Sequence, residues 1–348
     1  MTDRWHVRAV PLPDGVEPVD LWVAEGRLHA GPVDGAIDLP GAFVAPGLVD
    51  AHAHLTFETR TRLGLERGSA ELIAAHLAQH RARGVLAVRD AGSLPGAVLP
   101  DGVIGCGPFL APPDFFLPHL YEGTPADAAV AGAQARVRAG WPWVKLIGDF
   151  PAGEFNPLQP QVGYPPELVA EIAAAVHGEG GRVAMHVMGP FVREAVTLGV
   201  DSIEHGTWAD AATVREMAAR GVAWTPTLTT VLHHLEPVAE RVAPVRELLD
   251  AHREALALAA ELGVTLLTGA DESDHGSAAE EAAALVRYGV PERVAVAAAT
   301  TAARAYFGLP GLEPGAPADL VTFDRDPRVD IAALAAPAAV VAAGQRVP

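Results

Sequence analysis

The chain has 348 residues, of which 50% are hydrophobic and 20% are charged, and its formal net charge is −18 at pH 7. This composition is ordinary for a globular protein and unlike that of a disordered chain. The length allows two average domains or one large α/β barrel with an appendage. The acidic balance disfavours nucleic acid or an anionic membrane as a partner, so we expect a small-molecule substrate.

The N-terminal residues lack the apolar core of a signal peptide, and no apolar run reaches the length that spans a bilayer. We therefore expect a cytoplasmic protein. The only cysteine, Cys106, has no partner for an internal disulfide, and we expect it to be a small buried hydrophobic residue.

The first 45 residues contain short runs of β character separated by turn signals such as Pro13-Asp14-Gly15. They predict a small antiparallel sheet with strands at 5–10, 19–23, 27–30 and 36–39. The tail from residue 310 returns to short β-like runs, which we expect to pair with these strands. The prediction is a small β-sandwich domain built from residues 1–45 plus 312–348.

Between the two ends, apolar strands alternate with Ala-rich helical stretches. This alternation is typical of a parallel sheet. After a first strand that ends near His54, strands are predicted at 85–89, 103–105, 143–147, 182–186, 202–204, 223–225 and 265–270. Helices are predicted at 70–83, 126–139, 166–179, 211–220 and 243–262. Eight such strands predict an α/β fold of the closed (β/α)₈ TIM-barrel type over residues 46–311.

The apolar run 45–54 stops on two histidines spaced as His-x-His. Residues i and i+2 of a strand point to the same face, so His52 and His54 are predicted to project together from a strand end. Further polar residues follow later strands, namely Lys145, His186, His205 and Asp271. Strand ends of a barrel converge on one face, so these six residues are enough for two metal ions. Imidazole and carboxylate suit Zn²⁺, with Mn²⁺, Co²⁺ or Ni²⁺ as substitutes.

Lys145 is the only lysine among 25 basic residues, and it lies in an apolar run. We expect it to do something that arginine cannot. A buried lysine has a lowered pKa, and its neutral amine can react with carbon dioxide to form a carbamate that bridges two metals. Arginine stays protonated and cannot react in this way.

This arrangement suggests hydrolysis of an amide, ester or lactam. A water between two divalent ions becomes hydroxide near neutral pH and can attack a carbonyl polarised by one of them. Asp271 is placed to take the proton and to pass it to the leaving nitrogen or oxygen as general base and acid.

Several motifs together resemble the amidohydrolase superfamily, and within it the imidazolonepropionase-related and Xaa-Pro dipeptidase-like branch. They are Pro46-Gly47-Leu48-Val49-Asp50-Ala51-His52-Ala53-His54, Val144-Lys145-Leu146, Met185-His186-Val187, Ile203-Glu204-His205-Gly206, Thr268-Gly269-Ala270-Asp271 and Gly315-Ala316-Pro317-Ala318-Asp319-Leu320-Val321. The resemblance implies that His52, His54 and Asp271 bind the more buried metal. It implies that His186 and His205 bind the more exposed metal and that carbamylated Lys145 binds both. A homo-oligomer is compatible with it.

The leading hypothesis is a binuclear metal hydrolase that cleaves a C–N bond in a dipeptide, an N-acyl amino acid or a cyclic amide. One alternative is a mononuclear deaminase or imidazolone-type cyclic amidohydrolase. The deaminase expects a glutamate three residues after the fifth-strand histidine, where this chain has Gly189. An alternative of another class is a non-catalytic amidohydrolase-like scaffold, which should lack some of the ligands.

Three further residues are candidates for substrate contact. His119 and Tyr121 lie in the region 107–124, which has several prolines and aromatic residues and no clear secondary structure. His275 lies in the loop after the eighth predicted strand. Long loops on the strand-end face of a barrel commonly contact the substrate.

Overall fold

The computed structural model describes residues 4–58, 63–151, 160–271 and 274–348. The strands are β1 (Trp5–Pro11), β2 (Val19–Ala24), β3 (Arg27–His29), β4 (Ile37–Asp38), β5 (Phe43–Pro46), β6 (Leu48–Ala53), β7 (Val85–Asp90), β8 (Ile104–Gly105), β9 (Trp143–Ile147), β10 (Asp149–Phe150), β11 (Gln161–Val162), β12 (Arg182–Val187), β13 (Ser202–His205), β14 (Ala223–Thr225), β15 (Leu320–Phe323), β16 (Ala339–Ala342) and β17 (Gln345–Arg346). The helices are α1 (Ala70–Ala82), α2 (Ala126–Arg138), α3 (Pro166–Gly178), α4 (Val192–Ala195), α5 (Ala211–Arg220), α6 (Leu228–Ala239), α7 (Ala243–Glu261), α8 (Ala278–Arg287), α9 (Glu292–Ala299) and α10 (Thr301–Tyr306), with a 3₁₀ helix at Ile331–Ala335.

Strands from both ends of the chain share one sheet, in the order β17-β16-β15-β5-β1-β2-β3, with β4 beside β1. The join between the ends is the antiparallel pair β5–β15, in which Val44 lies opposite Thr322. A separate buried cluster that includes Trp5, Val23 and Leu320 packs on this sheet. The division of the chain into two domains and the sandwich architecture stay predictions.

The central strands run parallel in two segments, β6-β7-β8 and β9-β12-β13-β14. All residues of β6 and β9 are buried, as expected for parallel strands covered on both faces. Leu110, which follows β8 in the chain, forms an isolated parallel bridge to Leu146 of β9. The fold is therefore α/β, with a curved parallel sheet whose carboxyl-terminal strand ends lie on one face.

The predicted strand at 265–270 differs in the structure, where only Leu266 forms a bridge, to Trp224. The segment is extended chain held at a few points between two neighbours. The amide of Leu267 donates to the carbonyl of Trp224 on one side, and the amide of Ala51 donates to the carbonyl of Thr268 on the other. Gly269 permits this close approach, because a Cβ atom there would lie 2.6 Å from the Cβ of His52.

The five predicted helices are present as α1, α2, α3, α5 and α7, with ends within about one residue of those predicted. Ser69 caps the N-terminus of helix α1, and its side chain accepts a hydrogen bond from the amide of Leu72. Helix α6 is not predicted from the sequence, because β-branched residues open it and Pro237 lies inside it. None of the described helices is long and apolar enough to cross a membrane.

Candidate metal centre

One cavity of about 360 Å³ opens at the carboxyl ends of the parallel strands. All six residues predicted as metal ligands line it: His52, His54, Lys145, His186, His205 and Asp271. Each of them is less than 9% exposed. Six chemically reactive side chains held in one buried space are costly for a fold, and such groups mark a functional site.

Three of the six form a compact cluster. Single ligand atoms of His52, His54 and Asp271 all lie within 4.8 Å of one another. The Nε2 atoms of His52 and His54 are 3.6 Å and 3.3 Å from Oδ1 of Asp271. Burial opposes ionisation of Asp271, but the surrounding histidines hold the pKa of its carboxyl well below the usual range. The cluster therefore presents two imidazoles and one carboxylate to a common point.

His186 and His205 form a second pair beside this cluster. Nε2 of His205 lies 2.8 Å from Nδ1 of His186, and Nδ1 of His205 lies 2.7 Å from Oγ1 of Thr227. Nε2 of His186 is buried and has no hydrogen-bond partner among the described residues. Burial lowers the pKa of His205 to about 3 and that of His186 well below its usual value, so both rings are neutral and offer lone pairs.

Backbone conformation helps to direct these side chains. His205 has a φ of 69° and Asp271 a φ of 50°, which is the left-handed region that residues with a Cβ rarely adopt. Both residues turn the chain sharply at the end of an extended segment. Such strain persists where surrounding structure enforces it, and it is characteristic of functional sites.

Lys145 belongs to β9 and lines the cavity. Its Nζ atom is 3.2 Å from Nε2 of His52, and its side chain is 1% exposed. Burial lowers the pKa of the Lys145 amine, although the nearby carboxylates of Glu204 and Asp271 oppose the shift. A lowered pKa increases the fraction of neutral amine, which is the form that can react with carbon dioxide.

Sequence reasoning missed two residues behind His52. Oε2 of Glu204 lies 2.7 Å from Nδ1 of His52, and its other oxygen accepts hydrogen bonds from Arg89 and Ser202, each at 2.5 Å. Burial would keep Glu204 neutral, but Arg89 and His52 hold the pKa of its carboxyl well below the usual range. An ionised Glu204 requires the hydrogen of His52 on Nδ1, which leaves the Nε2 lone pair facing the cavity.

Replacing Glu204 by glutamine is expected to weaken binding of Zn²⁺ to the metal-depleted protein by about 10- to 100-fold, the usual loss when a partner behind a metal-binding histidine is removed. The reason is that the amide no longer fixes the tautomer of His52. Competition against a chromophoric zinc chelator measures the affinity. The control is Ser202→Ala, which removes a hydrogen bond to Glu204 and keeps its charge. Equal zinc affinity in E204Q and the wild type would contradict this role.

Four phenylalanines that line the cavity form an aromatic wall, defined as Phe57, Phe109, Phe116 and Phe150. The other residues that line the cavity, besides the six candidate ligands, are Leu117, Met188, Thr230, Val231, His234 and Leu235. The ring of Phe57 stacks on His54 with centroids 4.9 Å apart. Phe116 lies 5.6 Å from His186, so the wall connects the two groups of histidines.

The three residues predicted to contact substrate do not line this cavity. His119 is exposed and lies on a separate surface groove with Tyr121. The ring of Tyr121 packs behind the aromatic wall, 4.3 Å from that of Phe109. His275 is buried against His76 and His80. Their proposed roles in substrate binding stay predictions, and Phe109 is the residue of the 107–124 region that approaches His54, at 5.7 Å.

His76, His80 and His275 form a buried three-histidine cluster next to the candidate metal centre. Nδ1 of His275 lies 3.1 Å from Nε2 of His80, and the rings of His275 and His76 are 3.8 Å apart. The cluster also adjoins Asp50, whose Oδ2 lies 3.9 Å from Nδ1 of His80. Burial lowers the pKa of His80 to about 3 and that of His275 to about 2. The cluster therefore stays neutral in the folded protein at mildly acidic pH.

This cluster is expected to make stability fall with acidification. The unfolded chain takes up protons on its histidines below about pH 6.5, whereas the folded state keeps these rings neutral. His80 and His275, with pKa values of about 3 and about 2 in the folded protein, each lower the free energy of unfolding by about 1.4 kcal/mol per pH unit as the pH falls from about 6.5 to about 4. Urea unfolding over that range should show a shallower slope in His80→Gln than in the exposed control His119→Gln. Identical slopes of the free energy of unfolding against pH in the two variants would contradict this role of the cluster.

The donor atoms in the cavity suit a divalent cation. Neutral imidazole nitrogens and an ionised carboxylate are the ligands that Zn²⁺ prefers, and His52, His54 and Asp271 place such atoms within 4.8 Å of one another. His186 also lines the cavity, and its buried Nε2 has no hydrogen-bond partner among the described residues. The residues present therefore fit a metal ion.

Known proteins with similar sequences or structures indicate the family of this chain. A model of the amidohydrolase family matches residues 157–347. An uncharacterised protein of Mycobacterium tuberculosis is 32% identical over 98% of this chain and 95% of its own length. The adenine deaminase of Methanoregula boonei is 27% identical over 60% of this chain and 40% of its own. A solved Xaa-Pro dipeptidase with methionine in its active site is 21% identical, with a TM-score of 0.79 over 99% of this chain and 100% of that one.

The chain belongs to the amidohydrolase family, because the family model spans more than half of its length. The resemblance of its motifs to the amidohydrolase superfamily is thereby confirmed, whereas the branch within it stays a prediction. It is a hydrolase.

Proposed function

We propose that the protein is a metal-dependent hydrolase that cleaves an amide-type C–N bond at the cavity described above. The observation that carries the proposal is the convergence of all six candidate ligands on one buried cavity. A non-catalytic scaffold would have no need to keep this set of buried ionisable groups. In this proposal the parallel strands form a closed (β/α)₈ barrel, and the centre lies at its carboxyl-terminal face.

Within this proposal His52, His54 and Asp271 would hold one divalent ion, and His186 and His205 would hold a second. Carbamylated Lys145 would be a ligand of both. Zn²⁺ is the proposed metal because nitrogen and carboxylate donors dominate the set. Such ions activate water for attack and polarise the substrate carbonyl.

The protein's own groups then carry out the proton transfers. Asp271 is ionised and faces the cavity, so it can accept a proton as the water oxygen bonds to the carbonyl carbon. It returns that proton to the amide nitrogen, the C–N bond breaks, and a carboxylic acid and an amine leave. Nδ1 of His205 lies 3.8 Å from Oδ2 of Asp271, so the proposed base adjoins the second pair of histidines. The aromatic wall excludes bulk water from the reacting bond.

Metal analysis of protein purified without chelator tests this proposal. We expect two metal ions per chain, loss of amide hydrolysis after chelation, and recovery on addition of Zn²⁺. A hydrolysis screen should include dipeptides, N-acyl amino acids, lactams and esters. A metal-free protein that hydrolyses amides would contradict the proposed role of the metal, and a metal-loaded protein without any hydrolytic activity would contradict the function.

A mononuclear deaminase is a second candidate, favoured by the similarity to the adenine deaminase. The site argues against it, because a side chain at position 189 has little room. A Cβ atom at Gly189 would lie 2.1 Å from Pro160 and 2.8 Å from Asp149, so the glutamate expected there does not fit. One metal ion per chain together with ammonia release from adenine would establish this candidate instead.

A further inference from the structure

The first turn of helix α6 is held by a buried glutamate of another helix. Oε1 and Oε2 of Glu281, on α8, accept hydrogen bonds from the amides of Leu228 and Thr229 at 2.7 Å and 2.9 Å. The first amides of a helix have no partner within the helix itself, and Thr227, the residue before α6, makes no capping hydrogen bond with its side chain. Glu281 therefore provides the cap that the local sequence does not.

This arrangement has two costly features. Glu281 is 0% exposed, and burial raises the pKa of its carboxyl to about 7, although the hydrogen bonds from the two amides oppose the shift. A carboxyl group away from water is costly unless it is hydrogen-bonded. Thr227 has a φ of 48°, in the left-handed region that residues with a Cβ rarely adopt. Costly features that persist at one turn indicate that the surrounding structure enforces its geometry.

The same turn contacts the candidate metal centre on two sides. Oγ1 of Thr227 lies 2.7 Å from Nδ1 of His205, so the hydroxyl holds the ring of this candidate ligand by one nitrogen. The hydroxyl of Thr230, in the first turn of α6, donates to the carbonyl of Ala270 at 3.1 Å. Ala270 directly precedes Asp271 in the chain. The start of α6 therefore joins His205 to the segment that carries Asp271.

We propose that Glu281 is a positioning residue of the candidate metal centre. It holds the first turn of α6, and that turn keeps the Thr227 hydroxyl on His205. The same turn keeps Thr230 bound to the segment that ends in Asp271. Glu281 itself is not one of the described lining residues of the cavity, so it acts through α6 and not by contact with a substrate. This inference rests on the proposed function, which gives His205 and Asp271 their roles as ligands.

Glu281→Gln and Glu280→Gln form a matched pair of variants. Both residues lie in the first turn of α8, and both substitutions replace a carboxyl by an amide there. Glu280 is exposed and pairs with Arg83, whereas Glu281 is buried and holds α6. An amide at position 281 offers one oxygen to the two backbone donors and directs its own N–H groups at the other donor, so one hydrogen bond is lost.

Two measurements on the folded protein test the inference. They are the imidazole ¹⁵N signals of His205 in metal-free protein, assigned by their absence from His205→Gln, and the zinc affinity against a chromophoric chelator. Glu281→Gln is expected to shift the His205 signals and to weaken zinc binding by about 10-fold, at the lower end of the loss for groups behind a metal ligand. Glu280→Gln is expected to change neither. Glu281→Asp, which has a shorter side chain, gives the same comparison if Glu281→Gln does not fold.

A role of Glu281 in stability alone gives another result. The free energy of unfolding would then fall while the His205 signals and the zinc affinity of the folded variant stayed as in Glu280→Gln, and this result would overturn the inference. Thr227→Ala tests the path between the two residues. If Glu281 acts through Thr227, the losses of zinc affinity in the two single variants should not add in the double variant, and full additivity overturns that path.

Failure of the proposed function gives a separate pattern. A wild-type protein that binds no zinc or hydrolyses no amide contradicts that function. The His205 signals of the metal-free variants still decide the role of Glu281, because they depend on neither metal nor substrate. Shifted signals in Glu281→Gln but not in Glu280→Gln support the positioning role, and equal signals in both variants overturn it.

Discussion

Lys145→Ala is expected to lower kcat/KM by more than about 100-fold, since removing even an outer partner of a metal site costs about 10- to 100-fold and Lys145 is proposed as a direct ligand. Lys145→Arg is expected to lose as much activity although it keeps the positive charge. The reason is that only a neutral amine can form the carbamate proposed to join the two metal ions. Steady-state kinetics on an amide substrate, with metal content measured for each variant, tests both expectations.

The chain offers an unusually clear spectroscopic test because it contains a single lysine. Wild-type protein equilibrated with ¹³C-labelled bicarbonate should show a carbamate carbon signal that is absent from Lys145→Arg. Short carboxylic acids should partly restore activity to Lys145→Ala by occupying the space of the carbamate. They should not restore Lys145→Arg, whose side chain fills that space. Full activity of Lys145→Arg, or no difference between the two spectra, would contradict the carbamate.

The positions of the candidate ligands were predictable because they depend on local rules. Parallel strands end on one face of their sheet, and a period of two places His52 and His54 together. The strand predictions therefore directed all six side chains to one place, and the structure has all six in one cavity. Their roles as ligands stay predictions until a metal is measured.

The hydrogen bonds by which Glu204 and Arg89 position His52 were harder to predict. Glu204 lies within the motif Ile203-Glu204-His205-Gly206, and Arg89 ends the predicted second strand. Charged residues inside buried strands are rare unless they are paired, and that signal was available in both runs. Arg89 and Glu204 are each other's partner, however, and they lie 115 residues apart in the chain. Only the folded sheet places Nη2 of Arg89 2.5 Å from Oε1 of Glu204.

Substrate contacts were the least predictable part of the site. The region 107–124 is predicted to contact the substrate, and this role stays a prediction; the directions of its side chains depend on packing against distant residues. The ring of Phe109 approaches His54, whereas the side chain of His119 is exposed. Loop side chains follow no short period, so the sequence does not indicate which of them faces the cavity. The same limit applies to His275, which packs on helix α1 at His76 and His80.

Asp271→Asn is expected to lower kcat by about 10²- to 10⁴-fold, the usual contribution of a general base and acid. The amide has nearly the same shape as the carboxylate, but it cannot accept a proton from water. The wild-type activity should fall as pH falls through the pKa of Asp271, and its neighbouring histidines place that pKa well below the usual range of an aspartate. Measurements of kcat and KM against pH test this expectation. Turnover of D271N within about 3-fold of the wild type would contradict it.

The matched control is Asp149→Asn, which changes another buried carboxylate that does not line the cavity. The carboxylate of Asp149 accepts hydrogen bonds from the amides of Met188 and Gly189. Asp149→Asn should therefore lower stability more than kcat. Metal content then separates the two roles of Asp271. A variant D271N that keeps both metal ions but loses turnover identifies proton transfer as the essential role, whereas loss of one ion shows that the carboxylate is required to hold the metal.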